Sequence, residues 1–120
     1  MDCLFCKIVN GEIPSYKIYE DEYVFCFLDI NPKSNGHTLI IPKKHFVDAF
    51  DIESEYLVKI SQASKIIMNL IKEKMGADGF KLVQNNGSIE EVKHYHLHII
   101  PNYKSNKKMA IKDVYDLLMK

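Results

Sequence analysis

The segment His94-Tyr95-His96-Leu97-His98-Ile99-Ile100-Pro101 alternates imidazoles with apolar side chains. In a strand every second side chain points to the same face. The spacing therefore predicts a strand with three imidazoles on one face, about 7 Å between successive Cα atoms of the row. Tyr95, Leu97 and Ile99 would enter a core from the other face. The chain has 5 histidines in 120 residues, and three of them lie here. Such a row can hold a phosphate, bind a metal or attack an electrophile. A lone histidine would be read as an ordinary polar position on a strand, but this alternation is not.

Working outward, Asn85-Asn86-Gly87 is a turn signal, and Phe80 to Gln84 reads as a strand that would pair antiparallel with the histidine strand. Before it, Leu57, Ile60, Ser64, Ile67, Leu70, Ile71 and Met75 recur at helical spacing, so one long helix is expected. Asp51 or Ser54 would cap its start and Gly76 would supply its left-handed stop. The apolar side of this helix is a candidate interface. Tyr16–Tyr19 and Tyr23–Leu28 read as a hairpin around Glu20-Asp21-Glu22, and His37–Pro42 as a third strand. A short helix is expected from Asp2 or Cys3 to Ile8, closed by Asn10-Gly11 and Pro14. A final helix is expected over Met109–Met119, after a polar, mobile stretch from Asn102 to Lys108. Strands on either side of one long helix indicate an α+β fold: a five-stranded, mainly antiparallel sheet with one long helix and short terminal helices.

Bulk properties agree with one domain over residues 1–120. Hydrophobic content is 47% and charged content 27%, the balance of an ordinary globular protein. Lys+Arg and Asp+Glu are 16 each, and this zero net charge argues against a surface built to hold nucleic acid by counterion release. No apolar run approaches the ~20 residues of a membrane span. Met1 and Asp2 lead into Cys3 with no basic start and no apolar signal region. Three cysteines fit a disulfide framework poorly, so a reducing, cytoplasmic setting is expected.

Cys3 and Cys6 form C-x-x-C, a spacing that lets two thiolates reach one zinc ion. Alone it could equally be a redox pair or two buried thiols. His45 and His94 could complete a closed, four-coordinate, structural site. Cys26, in an apolar strand, reads as a buried and inert thiol.

The chain resembles the histidine triad (HIT) superfamily over nearly its whole length. The residues that carry the likeness are Cys3-Leu4-Phe5-Cys6-Lys7-Ile8, Gly11-Glu12-Ile13-Pro14, Phe27-Leu28-Asp29-Ile30, the run from Gly36 to His45, Asn85-Asn86-Gly87, and His94 to Pro101. The last follows the family's His-x-His-x-His-apolar-apolar pattern. The resemblance is to zinc-bearing bacterial-type hydrolases near the nucleoside phosphoramidase branch. It implies a homodimer that joins two five-stranded sheets. It also implies binding of a purine nucleotide such as AMP or GMP, with hydrolysis or transfer at the α-phosphate. His96 matches the family nucleophile, and His98 the neighbour that binds phosphate. His94 with Cys3, Cys6 and His45 matches the structural zinc site. Asp29 matches the carboxylate that takes the ribose hydroxyls, and its residue type also suits a turn in Asp29-Ile30-Asn31-Pro32. Ile13, Phe27, Leu28 and Ile30 match the wall around the base, and Asn85 a residue at the phosphate end.

One loop departs from the family pattern. Where members usually carry Gly-Gln shortly before the triad, this chain has Ile89-Glu90, and the loop is about two residues short. Ile89 and Glu91 are counted with the nucleotide-binding positions, Glu91 standing where a hydroxyl residue is common. A glycine lets backbone N–H groups approach a phosphate, and a glutamine can donate to the bridging oxygen. An ionised glutamate can do neither. Three consequences are open: Glu90, protonated, acts as a general acid; the protein binds nucleotide with little turnover; or both carboxylates swing into solvent beside Lys93. The leading expectation is a hydrolase of a purine nucleoside 5′-phosphoramidate or dinucleoside polyphosphate through a nucleotidyl-histidine intermediate. A non-catalytic nucleotide binder or scaffold is the alternative. A nucleotidyltransferase and a zinc-ribbon module fit less well, the first because the chain is short, the second because it lacks a basic excess.

Overall fold

The computed structural model describes residues 3–120. In chain order the elements are α1 (Leu4–Val9), β1 (Lys17–Glu20), β2 (Val24–Leu28), β3 (Thr38–Pro42), α2 (Ser54–Met75), β4 (Gly79–Val83), a 3-10 turn (Gly87–Ile89), β5 (Leu97–Asn102) and α3 (Ile111–Leu118). The strands form one sheet in the order β1-β2-β3-β5-β4, and every neighbouring pair is antiparallel. The α+β expectation holds. No helix among the described residues is long and apolar enough to cross a membrane.

Both faces of the sheet are covered, which explains why β2 and β3 are buried along their whole length. Val24, Cys26, Leu28 and Ile40 face the larger core, with Ile60, Ala63, Ile67 and Ile71 of α2 and Val114 and Leu118 of α3. Phe25, Phe27, Leu39 and Ile41 face the smaller core, with Cys3, Phe5 and Ile8 at α1. Strand alternation sends one set each way. The buried stripe of α2 packs against the sheet; Leu57, read as part of that stripe, is exposed, as are Val58 and Ile66 on the same helix.

Several element ends differ from the sequence reading. The cap of α2 is Glu53, with no side-chain hydrogen bond; Asp51 instead accepts from the Val47 and Asp48 N–H groups and shapes the preceding loop. Gly76 does end α2 in the left-handed region, at φ 73°. The stretch from Asn102 to Lys108 is tethered rather than loose. Buried Asn35 donates from Nδ2 to the Lys107 carbonyl and accepts at Oδ1 from Met109 N–H, while the Tyr103 hydroxyl donates to the Asn35 carbonyl. One side chain 72 residues away in sequence closes that segment. Most relevant to function, β5 begins at Leu97, so His94 and His96 precede the strand. Alternation persists through this lead-in: Tyr95, Leu97 and Ile99 join the larger core, and the Phe5 ring lies edge-on to both His94 and His96 on the other side.

Candidate active site

Two clusters meet beneath α1. The first is Cys3, Cys6, His45 and His94. The short helix makes the pair: Cys3 caps α1, its Sγ accepting from Cys6 N–H at 3.2 Å, so the two thiols share one side of the first turn. His94 Nε2 lies 2.8 Å from the Pro42 carbonyl. A carbonyl can only accept, so Nε2 carries the proton and Nδ1 presents a lone pair. That Nδ1 stands 3.4 Å from Cys3 Sγ, 3.5 Å from Cys6 Sγ and 3.2 Å from His45 Nδ1, and Cys6 Sγ is 3.4 Å from His45 Nδ1. Tetrahedral zinc bonds would separate sulfur from nitrogen by about 3.6 Å and nitrogen from nitrogen by about 3.3 Å. The four groups fit that ion. Burial and the neighbouring Cys3 push the Cys6 thiol up to about 11, and burial holds His94 down at about 4. A coordinated cation would turn the thiols into thiolates.

The second cluster lines a cavity of about 450 Å³. Ile13, Phe27, Leu28 and Ile30 form apolar wall, and Asp29, Asn85, Glu91, His96 and His98 supply polar groups. Every sequence-predicted nucleotide position is there except Ile89, which is exposed on the 3-10 turn and does not line the cavity. Glu90 is also outside: it is buried beside Asp48, and both its oxygens lack a hydrogen-bond partner among the described residues. That placement removes two readings of the loop, Glu90 as an acid in the cavity and both carboxylates in solvent.

Hydrogen bonds assign the imidazole tautomers. His96 Nδ1 is 2.8 Å from the His94 carbonyl, so it donates there and Nε2 keeps its lone pair. His37 Nδ1 accepts from Lys33 N–H at 3.1 Å, which puts the His37 proton on Nε2. That proton points to His98 Nδ1 at 3.0 Å, with Asp29 Oδ2 at 3.5 Å. His98 therefore carries its own proton on Nε2. Asp29, His37 and His98 are close enough to ligate a cation. The protonated His37 Nε2 makes the group a hydrogen-bonded chain instead. Burial lowers His96 and His37, and it holds His98 down at about 4, with His96 and His37 adding to the effect. All three are neutral at pH 7.

Asp29 serves its loop and the cavity together. Oδ1 accepts from Asn31 N–H at 2.8 Å, the turn expected of its residue type, and its remaining lone pairs stay available. Sequence reasoning assigned no role to His37, Phe5 or Lys33, all of which line the cavity. Only the place of His37 at the start of the expected third strand, His37–Pro42, hints at the first. Phe5 stands edge-on to His96 at 5.2 Å between ring centres, so α1 joins the cysteine cluster to the cavity wall.

Residues 10–105 match the HIT domain family model, and the chain belongs to the HIT family. It is 46% identical over 110 residues to an uncharacterized HIT-like protein of Methanocaldococcus jannaschii, covering 90% of this chain and 84% of that one. It is 44% identical over 101 residues to the adenosine 5′-monophosphoramidase of Saccharomyces cerevisiae, covering 82% of this chain and 61% of the yeast protein. Among solved structures, a zinc-bound histidine triad family protein from Mycobacterium smegmatis superposes with a TM-score of 0.91 at 35% identity, covering 99% of this chain and 91% of that one.

Proposed function

We propose that this chain works as one HIT domain that hydrolyses a purine nucleoside 5′-phosphate derivative, a phosphoramidate or a dinucleoside polyphosphate, at the α-phosphorus. One observation carries the reading: the unprotonated Nε2 of His96 belongs to the same cavity wall as the Asp29 carboxylate. The yeast phosphoramidase relative supports the substrate class.

In the first step His96 Nε2 bonds to the α-phosphorus. The bond to the leaving group breaks, and its electron pair leaves with that group, which takes a proton from solvent. His98 Nε2–H donates to a phosphoryl oxygen as charge builds there. Water then attacks phosphorus, the P–N bond to His96 breaks with its electrons returning to the ring, and the water's proton goes to solvent. Dividing one displacement into two lowers each barrier. Asp29 accepts from the ribose hydroxyls, Ile13, Phe27, Leu28 and Ile30 hold the base, and Asn85 faces the phosphate end. Cys3, Cys6, His45 and His94 hold a structural zinc ion. The protein works as a cytoplasmic homodimer.

The test is AMP release from adenosine 5′-phosphoramidate by the purified protein. Release supports the reading, and its absence overturns the phosphoramidate assignment. Binding of AMP without release from any amide or polyphosphate would favour the second reading, a nucleotide binder. The observation behind that alternative is specific: Glu90 is buried and Ile89 exposed, so neither enters the cavity where the family's Gly-Gln is expected.

The ribose role gives its own expected result. Asp29→Ala weakens AMP binding by about 10- to 100-fold, the range for hydrogen bonds to a charged group. Calorimetric titration checks it, and unchanged affinity removes Asp29 from the ribose site.

Glu90 sets a pH-dependent stability. Burial, then the Asp48 charge, raises its carboxyl above the ordinary 4.5, while Lys93 opposes. The unfolded chain therefore releases this proton at lower pH than the folded one. The penalty is absent below 4.5 and grows as pH rises towards the folded value. Glu90→Met should stabilise the fold by about 1–3 kcal/mol at pH 7 by removing an unsatisfied buried group. At pH 4 the part of the gain that comes from ionisation should be lost, leaving the smaller gain from removing a neutral unsatisfied carboxyl. Denaturant titrations at the two pH values measure it, and a gain that does not depend on pH would show that folding does not raise the Glu90 carboxyl.

A further inference from the structure

Among the described residues the cavity is lined by three ionisable side chains besides its histidines: Asp29, Lys33 and Glu91. They are not distributed evenly. Asp29 and Lys33 share the loop after β2, and at His98 their fields oppose each other. Glu91 lines the same cavity as His96 from a separate loop, and that loop's Lys93 does not line it. Glu91 follows the 3-10 turn on the loop that returns to His94, while its neighbour Val92 anchors that loop in the smaller core. Glu91 is exposed to the cavity mouth and has no hydrogen bond or ion pair among the described residues; the nearby Lys93 ammonium is turned back onto the Gly87 carbonyl at 2.7 Å. Ribose hydroxyls would cover Asp29 in a nucleotide complex. The charges left uncovered would then be the Lys33 ammonium, on the loop after β2, and the Glu91 carboxylate, on the loop that leads to His94.

We infer that Glu91 is a specificity-determining residue for the leaving group: it favours nucleoside phosphoramidates of amines, above all amines with a second positive charge, and disfavours anionic leaving groups. This rests on the hydrolase reading above and narrows its substrate class. The physical reason is the sign of the charge that develops. A proton from solvent first makes the bridging nitrogen cationic; as the P–N bond breaks, that nitrogen takes the bonding pair and leaves as an amine, which takes a second proton from solvent and departs as an ammonium ion. A polyphosphate leaves carrying negative charge into the field of Glu91. In a half-open cavity, one charge several ångströms away changes a rate by about tenfold per unit of leaving-group charge.

The experiment compares kcat/KM for three adenosine 5′-phosphoramidates of similar size, made from ethylenediamine, propylamine and β-alanine, whose tails are cationic, neutral and anionic. The wild-type protein should prefer the ethylenediamine compound over the β-alanine compound by at least about tenfold. Glu91→Gln should bring that ratio to about threefold or less, and Glu91→Lys should invert it. Raising the salt concentration should compress the wild-type ratio. Turnover of all three compounds with the same ratio in all three proteins overturns the role of Glu91 while leaving the hydrolase reading intact. No turnover of any compound by the wild-type protein, with AMP still bound, overturns the hydrolase reading and this inference together.

Discussion

His96→Ala should lower the turnover of adenosine 5′-phosphoramidate by at least about 10⁴-fold while leaving AMP binding measurable, because it removes the imidazole proposed to form the covalent intermediate. The environment of His96 makes the expectation specific. Its Nδ1–H is committed to the His94 carbonyl, and burial lowers its affinity for a proton, so Nε2 is unprotonated and directed by a fixed tautomer. The pH profile carries the same signature. Protonation of Nε2 abolishes attack, so kcat/KM should fall on the acid side, through a value below the ordinary 6.5. Above that limb it should stay level through neutrality. Rapid quenching of wild-type turnover should trap AMP on the protein, and none should be trapped on the variant. Full activity in His96→Ala would mean that the cavity uses another nucleophile, or none.

The second large effect concerns the metal. Cys6→Ala should abolish stoichiometric zinc and cost about 3 kcal/mol, roughly 12 °C of thermal midpoint at about 4 °C per kcal/mol for a chain of this size. The fold should nevertheless survive. The larger core, built by α2, α3 and the opposite face of the sheet, contains none of the four ligands. What the ion would hold is α1, through Cys3 and Cys6, against His45 and His94 from two distant loops. The same helix contributes Phe5 and Ile8 to the cavity, and Phe5 lies edge-on to His96. Loss of zinc should therefore also weaken AMP binding, which a merely peripheral metal would not do. Metal analysis, thermal melting and AMP titration on the same samples check this. A zinc-free wild-type protein, or Cys6→Ala with full zinc and an unchanged melting point, would remove the site.

Much of this architecture is legible in local pattern because side-chain periodicity is local physics. Alternation in Val24–Leu28 places Cys26 and Phe27 on opposite faces, and the 3.6-residue recurrence of Ile60, Ser64, Ile67 and Ile71 marks the buried stripe of α2. Gly76 announces its left-handed stop. Element ends are less legible. The alternation of His94, His96 and His98 continues into an extended lead-in that is not paired as strand, since period alone does not reveal where a neighbour's hydrogen bonds begin. The residues that line the cavity are legible mostly through family resemblance rather than spacing. The resemblance failed where this chain departs from it, at Ile89 and Glu90.

By itself the sequence determined the chemistry available: two thiols one helical turn apart, imidazoles at alternate positions, a carboxylate after an apolar strand, and the order of strands and helices. Only the tertiary structure decided which of those groups work together and in what protonation state. His37 reaches His98 from 61 residues away, and Cys6 reaches His45 from 39 residues away. The Pro42 carbonyl turns His94 towards the cysteines, and the Lys33 N–H makes His37 a donor. Glu90 is buried away from the cavity while its neighbour Glu91 lines it. The physical reason is common to all of these. Periodicity is set by bonds between neighbours in the chain, whereas a tautomer, a ligand set or a buried carboxyl is set by what packing brings within about 3 Å.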